Sequence, residues 1–284
     1  LAGTAEQHVA DLKEGNEVQE IAVEDSRLGI PLINGRDIIH GHRTIFPIPL
    51  AQAASWEPEL VEEAARISAL EASAYGVHWT FAPMLDIARD PRWGRIIEGF
   101  GEDPYLCGVL AQASVKGYQG DDLSEPGRIA ACAKHFIAYG GAEGGRDYNT
   151  SECSDNTLRN TYLPPFKAAI ETGVSTVMSG FHELGGEPVS GSRYLLTELL
   201  KEELGFDGYV ISDWASVDFL KAHGVAANDK EAAYRAFDAG VDMDMADFCF
   251  MNHIKELIDE GKISEERLDD AVKRILKVKF ELGL

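Results

Sequence analysis

The sequence predicts an α/β fold, a (β/α)8 barrel of the TIM type. Short apolar segments near residues 30, 79, 129, 174, 208 and 241 alternate with segments of helical period, which is typical of a parallel sheet flanked by helices. The 284 residues, 45% of them hydrophobic, suit one barrel domain over residues 1–284, since such barrels take about 250 residues. Only six strands are visible. We expect the others to be weakly signalled or to precede Leu1, which would leave the barrel incomplete at its N-terminus.

The strands and helices are placed by their patterns. Strands are predicted at residues 30–33, 78–85, 129–133, 174–179, 209–211 and 241–245. Helices are predicted at residues 17–28, 58–75, 105–118, 156–172, 194–204, 230–239, 250–260 and after Ser264. Asp103 followed by Pro104 indicates the start of the third helix, because a carboxylate caps free backbone N–H groups and proline fits the first turn.

The charge of the chain excludes several classes of ligand. Lys and Arg total 26 against 48 Asp and Glu, which gives a net charge of -22. Such a chain is unsuited to nucleic acid, anionic membranes and highly phosphorylated ligands, but it is compatible with a neutral polar ligand. Its apolar runs fall short of the roughly 20 residues of a membrane span. We therefore expect neither nucleic acid nor a membrane as a partner.

The cysteines and the N-terminus bear on the compartment. Four cysteines are scattered without a Cys-x-x-Cys pair, so neither a zinc ribbon nor a disulfide framework is indicated. The chain begins at Leu1 without Met or a signal-like segment, and we expect the natural N-terminus to lie upstream. These features leave the compartment open, with a periplasmic or secreted location slightly favoured over a cytoplasmic one.

Polar side chains recur where successive predicted strands end. They are Asp37, Asp86 with the loop 89–95, Lys134 with His135, His182, and Asp213 with Trp214. A core strand rarely ends on such residues for packing alone, since an unpaired buried charge is costly. The carboxyl ends of the strands form the active-site mouth of a TIM barrel. The sequence therefore predicts a polar pocket with a tryptophan wall, which suits a sugar.

The stretch GFDGYVISDW, residues 205–214, organises this pattern. Its apolar centre predicts a buried parallel strand that ends in the carboxylate of Asp213. Asp213 is a candidate nucleophile beside the flat ring of Trp214. Alternatively, Asp213 caps the next helix, a role that the local pattern taken alone favours somewhat.

Longer motifs bear on this choice. The runs DIIHGHRTIFPIPL, FAPMLDIARDPRWGR, EGFGEDPYL, KHFIAYGGAEGGRDYN, YLPPFKAA, GFDGYVISDW and AGVDMDM occur in this order. In these runs, and over nearly its whole length, the chain resembles the barrel domain of family 3 glycoside hydrolases, especially the β-glucosidases. The resemblance implies a retaining, exo-acting enzyme that releases glucose from the non-reducing ends of β-glucosides or oligosaccharides, with no metal and no other cofactor.

The resemblance also implies roles for individual residues. Asp213 would be the nucleophile, and Trp214 would form a wall of a sugar subsite. Arg43 would assist at the site. The residues that would hold the hydroxyl groups of the sugar are Asp37, Arg95, Lys134 and His135.

At two places, residues of the expected site differ from what the resemblance to the family would suggest. Phe181 stands where many relatives carry tyrosine near the nucleophile, which puts one hydrogen bond to that carboxylate in doubt. Arg89 and Arg92 are expected to brace their own loop rather than to contact a sugar. Their expected partners are Asp86, Asp90 and Asp103.

A retaining glycosidase needs a second carboxyl group, about 5 to 5.5 Å from the nucleophile, to protonate the leaving oxygen. In the family that the chain resembles, this group is a glutamate on a separate α/β sandwich domain, which we expect as a partner outside this chain. A related branch uses a histidine in the loop after Lys-His, but none occurs between His135 and His182. Glu143 and Asp147 are alternative acids, although we expect them to order their loop instead.

Three other functions compete with a β-glucosidase. His40 and His42, with Lys134, His182 and Asp213, are also compatible with a metal-dependent amidohydrolase, although a further histidine at a strand end is missing. A sugar-binding barrel without activity is a second alternative. The third is a β-xylosidase or other family 3 glycosidase; xylosidases of the family tend to have glutamate where Asp37 stands.

Overall fold

The computed structural model describes the backbone of residues 5–284 and the side chains of residues 13–284. Its strands are β1 (Gly35–Arg36), β2 (Trp79–Thr80), β3 (Cys132–Phe136), β4 (Thr176–Ser179), β5 (Glu183–Leu184), β6 (Glu187–Pro188), β7 (Tyr209–Trp214) and β8 (Met243–Met245). Parallel pairing joins β1 to β2, β3 to β4, β4 to β7 and β7 to β8. Two parallel bridges, Trp79 with Ala130 and Met84 with Lys134, join the segments that contain β2 and β3. Six parallel strands therefore follow one another in chain order, while β5 and β6 form a small antiparallel hairpin after β4.

Helices precede, separate and follow the parallel strands. They are α1 (Ala5–Glu20), α2 (Pro49–Ala53), α3 (Pro58–Ser73), α4 (Pro104–Gln119), α5 (Asp155–Thr157), α6 (Leu163–Glu171), α7 (Phe219–Ala222), α8 (Asp229–Ala239), α9 (Cys249–Asp259) and α10 (Glu265–Glu281). Wider turns of the π type cover Ile21–Asp25, Leu158–Tyr162 and Tyr194–Glu203. The predicted α/β, TIM-barrel-like fold is confirmed. Between residues 5 and 284, none of the helices combines the length and apolar character that a bilayer crossing requires.

Local signals placed several helix starts correctly. The Asp103 carboxylate accepts a hydrogen bond from the backbone N–H of Leu106 at 2.7 Å, and Pro104 opens α4. Ser264 caps α10 in the same way. The first helix differs, because it begins at Ala5 and continues through Asp25, whereas the sequence predicted residues 17–28.

The predicted first strand, residues 30–33, is wrong. The backbone of Leu32 is instead bonded to the side chain of Gln19, which donates to its carbonyl at 2.7 Å and accepts from its N–H at 2.8 Å. The N–H of Asn34 is similarly bonded to Nδ1 of His78. Backbone groups of this apolar segment are thus hydrogen-bonded to side chains rather than to a neighbouring strand. Strand pairing begins only at Gly35.

The predicted second and third strands are also shifted. In the segment 78–85, the strand covers Trp79–Thr80 and is followed by the single bridge of Met84 with Lys134. Pro83 between them has no N–H to donate. β3 runs from Cys132 to Phe136 rather than over residues 129–133. Lys134 and His135 therefore belong to the strand itself.

The strands carry one column of side chains into the barrel. Residues that are in register on neighbouring parallel strands face the same side, and Thr176 is in register with Tyr209 and Cys132. The indole N–H of Trp79 donates to Thr176 Oγ1 at 2.8 Å, which marks this side as a shared interior. Tyr209, Ile211 and Asp213 follow at every second position of β7, so the carboxylate of Asp213 continues the interior column towards the mouth.

A buried charge cluster joins β7 and β8 behind this column. The side chain of Asp242 is fully buried. It accepts hydrogen bonds from the backbone N–H of Val210 and from Lys201 Nζ, both at 2.8 Å, and lies 2.9 Å from Arg267 Nη2. Burial lowers the pKa of Lys201 to about 8, although Asp242 opposes the shift.

We expect Asp242→Ala to lower the free energy of unfolding by about 3–5 kcal/mol, because it leaves buried cations without their counter-ion. Asp259→Ala is the control, since Asp259 forms an exposed pair with Lys255 and such pairs contribute about 0.3–0.5 kcal/mol. Denaturant unfolding measures both variants. A loss for Asp242→Ala as small as that of the control would contradict a structural role for the cluster.

Candidate active site

Asp213 has the features of a nucleophile. It is 8% exposed at the end of β7. Its Oδ1 accepts a hydrogen bond from the N–H of Trp214 at 2.7 Å, whereas Oδ2 has no hydrogen-bond partner in the described part of the chain. Burial raises the pKa of Asp213 to about 6, although the Trp214 N–H, Lys134 and Arg95 oppose the shift.

The alternative role of Asp213 as a helix cap is wrong. The next helix, α7, begins only at Phe219. A capping side chain bonds the N–H two or three residues further on, but Oδ1 of Asp213 bonds the adjacent Trp214. The carboxylate is therefore available to the mouth of the barrel.

His135 lies beside this carboxylate. Its Nε2 is 3.2 Å from Asp213 Oδ2, without the geometry of a hydrogen bond. Its Nδ1 is 2.8 Å from Asp86 Oδ2, and its backbone N–H donates to the same oxygen at 2.9 Å. Burial holds the pKa of His135 well below its usual range, so the imidazole is neutral.

Lys134 and Asp37 form an ion pair at the mouth. Lys134 Nζ donates to Asp37 Oδ1 at 2.8 Å, with the lysine side chain 4% exposed and the aspartate side chain 62% exposed. The buried lysine is thus anchored by a carboxylate whose remaining surface faces solvent. Both groups retain hydrogen-bonding capacity for a polar ligand.

Consecutive residues of a strand normally point to opposite faces, yet Lys134 and His135 are both directed to this region. The register explains how. Three steps along β3, from Ala133 to Phe136, match two steps along β4, which is the geometry of a β-bulge. A similar shift lies between Ile211 and Trp214 on β7, around Asp213.

Arg95 completes the charged part of the site. It is held by Glu98 through two hydrogen bonds of 2.8 Å, and its guanidinium lies 5.7 Å from the centre of the Tyr139 ring. Its positive charge opposes the upward pKa shifts of both Asp86 and Asp213. Arg95 therefore acts electrostatically on both buried carboxyl groups.

Aromatic residues form the remaining walls. Trp214 is 66% exposed, so its ring is open to a ligand. Phe181 is buried and packs against Tyr148 with ring centres 4.8 Å apart, and its ring lies 6.4 Å from that of His135. Phenylalanine has no hydroxyl, so it cannot donate the hydrogen bond to Asp213 that a tyrosine would provide.

The glycine-rich loop after β3 is held by Asp147. Its Oδ1 accepts hydrogen bonds from Trp93 Nε1 at 2.9 Å and from the Tyr139 hydroxyl at 2.5 Å. The carboxylate of Asp147 therefore orders the loop, as expected. Glu143 lies exposed in a short 3-10 turn of the same loop.

Other predicted residues have no described contact with Asp213. The guanidinium of Arg43 donates to the Tyr75 hydroxyl on the side facing α3, and none of the contacts described for Arg43 joins it to Asp213 or Lys134. His182 is fully buried, with Nε2 3.1 Å from the carbonyl oxygen of Ile137. The bracing role expected of Arg92 is confirmed by its ion pair with Asp90.

The interpretation as a metal site finds no matching geometry. His40 Nδ1 is 2.9 Å from the carbonyl oxygen of Phe46, and His42 packs against the ring of Tyr75. Within residues 13–284, no group of three or more His, Cys, Asp or Glu side chains is arranged to hold a metal ion.

Sequence reasoning missed two supports of the site. Asp86 was noted as a polar strand-end residue, but not as the partner of His135. Tyr139 was not singled out, although its buried ring packs edge-on against His135 at 5.2 Å. An aspartate inside the apolar run FAPMLDIA was the available signal for Asp86, because a buried carboxylate requires partners.

The family model described as Glycosyl hydrolase family 3 N terminal domain matches residues 2–278. The chain belongs to glycoside hydrolase family 3. The resemblance carried by the sequence motifs is thereby confirmed, and family 3 membership replaces the amidohydrolase alternative.

Individual family 3 relatives support this assignment. The chain is 42% identical over 268 residues to the "Periplasmic beta-glucosidase" of Salmonella typhimurium, covering 94% of this chain and 35% of that protein. It is 37% identical over 289 residues to a "Beta-xylosidase" of Formosa agariphila, covering 94% and 40%. The crystal structure of a β-glucosidase from Listeria innocua matches with a TM-score of 0.95 and 48% identity, covering 96% of this chain and 38% of that one. A mutant of that enzyme in complex with laminaribiose matches with a TM-score of 0.94 and 47% identity, over the same shares. The chain thus spans well under half the length of these relatives.

We expect Asp213→Asn to stabilise the fold near neutral pH. Because the pKa of Asp213 is higher in the folded chain, Asp213 ionises at a lower pH in the unfolded chain than in the folded one. The free energy of unfolding of the wild type therefore falls between about pH 4 and pH 6 and stays lower above about pH 6. A shift from 3.8 to about 6 corresponds to a gain of about 2–3 kcal/mol for the variant at about pH 7.

Denaturant unfolding at a series of pH values measures this gain, which should vanish near about pH 4. Asp207→Asn is the control, because the Asp207 side chain is 82% exposed. A gain for Asp213→Asn that does not depend on pH would contradict the burial of an ionisable group at this position.

Proposed function

We propose that this chain is the nucleophile-bearing barrel domain, over residues 1–284, of a retaining β-glucosidase. The enzyme releases glucose from the non-reducing ends of β-glucosides. The observation that carries the proposal is the buried Oδ2 of Asp213, which has no hydrogen-bond partner among the described residues. It lies next to His135 at a mouth that also holds the Lys134–Asp37 pair.

The reaction follows from that oxygen. Oδ2 of ionised Asp213 attacks the anomeric carbon, and the bond to the leaving oxygen breaks as that oxygen takes a proton from an acid. Water then attacks the anomeric carbon from the opposite face, the bond from that carbon to Asp213 Oδ2 breaks, and the acid residue, now a base, takes a proton from the water. Two inversions give retention of configuration. Because the pKa of Asp213 is about 6, the attacking form is present above that pH.

The surrounding residues suit a glucosyl ring. Asp37 and His135 offer acceptors, and Lys134 and Arg95 offer charged donors, for neighbouring hydroxyl groups. The exposed ring of Trp214 provides a flat surface on which a sugar face stacks. We expect Arg43, on the loop after β1, to assist at the site, although its guanidinium donates to the Tyr75 hydroxyl in this structure. A neutral sugar is also compatible with the net charge of -22.

The acid and base residue belongs to a second domain in this proposal. Asp147 is engaged by Trp93 and Tyr139, which leaves Glu143 as the loop carboxylate to test. The relatives supply further support, because this chain corresponds to only 35% of the Salmonella protein and 38% of the Listeria chain. We expect an α/β sandwich domain to bring a glutamate to the leaving oxygen.

A β-xylosidase is the second candidate. It is supported by the Formosa relative, which is named a β-xylosidase and is 37% identical. Aspartate at position 37 supports glucose over xylose in this proposal, because xylosidases of the family tend to have glutamate there. The name of the Salmonella relative supports a periplasmic location.

The complete polypeptide should form a covalent adduct with 2,4-dinitrophenyl 2-deoxy-2-fluoro-β-glucoside. Its leaving group departs without protonation, and the fluorine slows hydrolysis of the glycosyl ester. Peptide mapping should find the adduct on Asp213, and the rate of its formation should fall about tenfold per pH unit below about pH 6, where Asp213 is protonated.

Asp213→Asn should form no adduct, whereas Asp90→Asn should react as wild type does, because Asp90 pairs with exposed Arg92. Proton NMR of the first product from an ordinary β-glucoside should detect β-glucose. Release of α-glucose, or an adduct on another residue, would remove Asp213 from the role of nucleophile.

Asp37→Ala should lower kcat/KM for aryl β-glucosides by at least about tenfold, since a charge-assisted hydrogen bond is worth roughly 1.5–3 kcal/mol. The loss should be smaller for aryl β-xylosides, which lack the sixth carbon and its hydroxyl. Parallel kinetics on both substrates, again with Asp90→Asn as control, measure the difference. Equal losses would place Asp37 away from that hydroxyl, and higher activity on xylosides in wild type would favour the xylosidase.

A further inference from the structure

Asp86 is a buried carboxyl group next to His135 that the proposed reaction leaves unused. Its side chain is fully buried, and both hydrogen bonds described for it come from His135, one from Nδ1 and one from the backbone N–H. Both go to Oδ2, whereas Oδ1 has no partner among the described side chains and backbone groups. The use of only one carboxylate oxygen indicates how Asp86 affects the protonation of His135.

Two donors that converge on one oxygen favour the ionised carboxylate, because an ionised oxygen accepts several hydrogen bonds. In that state Nδ1 of His135 carries the ring proton. Since the imidazole is neutral, its Nε2 then has a lone pair and no proton. The tautomer of a histidine is set in this way by the partner of its other nitrogen.

Other charged groups act on Asp86, His135 and Asp213. Burial raises the pKa of Asp86 to about 7, and Arg95 and Lys134 oppose this shift while Glu98 adds to it. The groups that act on these three residues from neighbouring elements are Arg95 and Glu98 before α4, Lys134 on β3, Asp37 after β1, Tyr139 after β3 and His182 after β4. Above neutral pH the balance leaves Asp86 ionised.

The position of His135 Nε2 places its lone pair next to the carboxylate of Asp213. It lies 3.2 Å from Oδ2 of Asp213 without a hydrogen bond between them. Two lone pairs that face each other repel, unless a donor approaches both. A hydroxyl group of a bound sugar is such a donor.

We propose that Asp86 is a positioning residue that holds the proton of His135 on Nδ1, so that Nε2 accepts a hydrogen bond from a substrate hydroxyl beside the attacking oxygen of Asp213. The part that concerns the sugar rests on the proposed function. The part that concerns the histidine does not. Asp86 thereby decides whether His135 receives or donates a hydrogen bond at the reacting centre.

The tautomer is measured first, in the complete protein without substrate. Long-range proton–nitrogen NMR at about pH 8, where Asp86 is ionised, should find a protonated Nδ1 and an unprotonated Nε2 in His135. The signal is assigned by its absence in His135→Gln. A proton on Nε2 would overturn the proposal, whether or not the protein hydrolyses glucosides.

The variant Asp86→Asn keeps the shape of the side chain but removes its charge. It should shift the proton of His135 towards Nε2, and it should lower kcat/KM for aryl β-glucosides by about 10- to 100-fold. Asp90→Asn, on the same loop, should change neither quantity. An unchanged tautomer together with unchanged kinetics would overturn the proposal, and an unchanged melting temperature separates the effect from misfolding.

A series of four monodeoxy glucosides locates the hydroxyl. One deoxygenation should cost wild type much more than it costs Asp86→Asn, because the variant has already lost that hydrogen bond. Equal costs for all four sugars in both proteins would contradict the acceptor role of Nε2. If no glucoside is hydrolysed but the NMR result holds, the proposed function fails and the positioning role of Asp86 stands.

Discussion

The structure depends on the fact that side chains in register on neighbouring parallel strands face the same side of the sheet. Because in-register residues on β3, β4 and β7 face the same side, one alternation decides which side chains enter the barrel and which pack under the helices. Tyr209, Ile211 and Asp213 are every second residue of one strand. The same constraint that fills the interior therefore delivers the carboxylate to its mouth.

The two register shifts modify this constraint at the candidate active site. Strict alternation would direct either Lys134 or His135 away from the mouth, but the extra residue in β3 brings both to it. The shift in β7 lies around Asp213 itself. Bulges of this kind re-aim side chains next to active sites, and here they occur on the two strands that carry the histidine and the candidate nucleophile.

Burial of charge is the energetic cost of the site. Asp86 and Asp213 both have pKa values raised by burial, to about 7 and about 6, so their ionised forms weaken the fold. Arg95 and Lys134 offset part of this cost, and they are themselves held by Glu98 and Asp37. The carboxylate of Asp213, which lacks a hydrogen bond on one oxygen, thus lies among charged neighbours that are each paired. Such a site trades stability for function.

The sequence by itself determined the α/β class, the approximate positions of five of the six parallel strands, the capped helices at Asp103 and Ser264, and the family, because periodicity, capping and long motifs are local properties of the chain. It also singled out Asp213, Lys134 and His135 as a group. Only the tertiary structure decided that Asp213 is not a helix cap, that residues 30–33 are bonded to side chains rather than to a strand, and that Asp86 holds His135. The last two outcomes depend on partners 13 and 49 positions away along the chain, and no local pattern records which distant group will reach a given N–H or carboxylate.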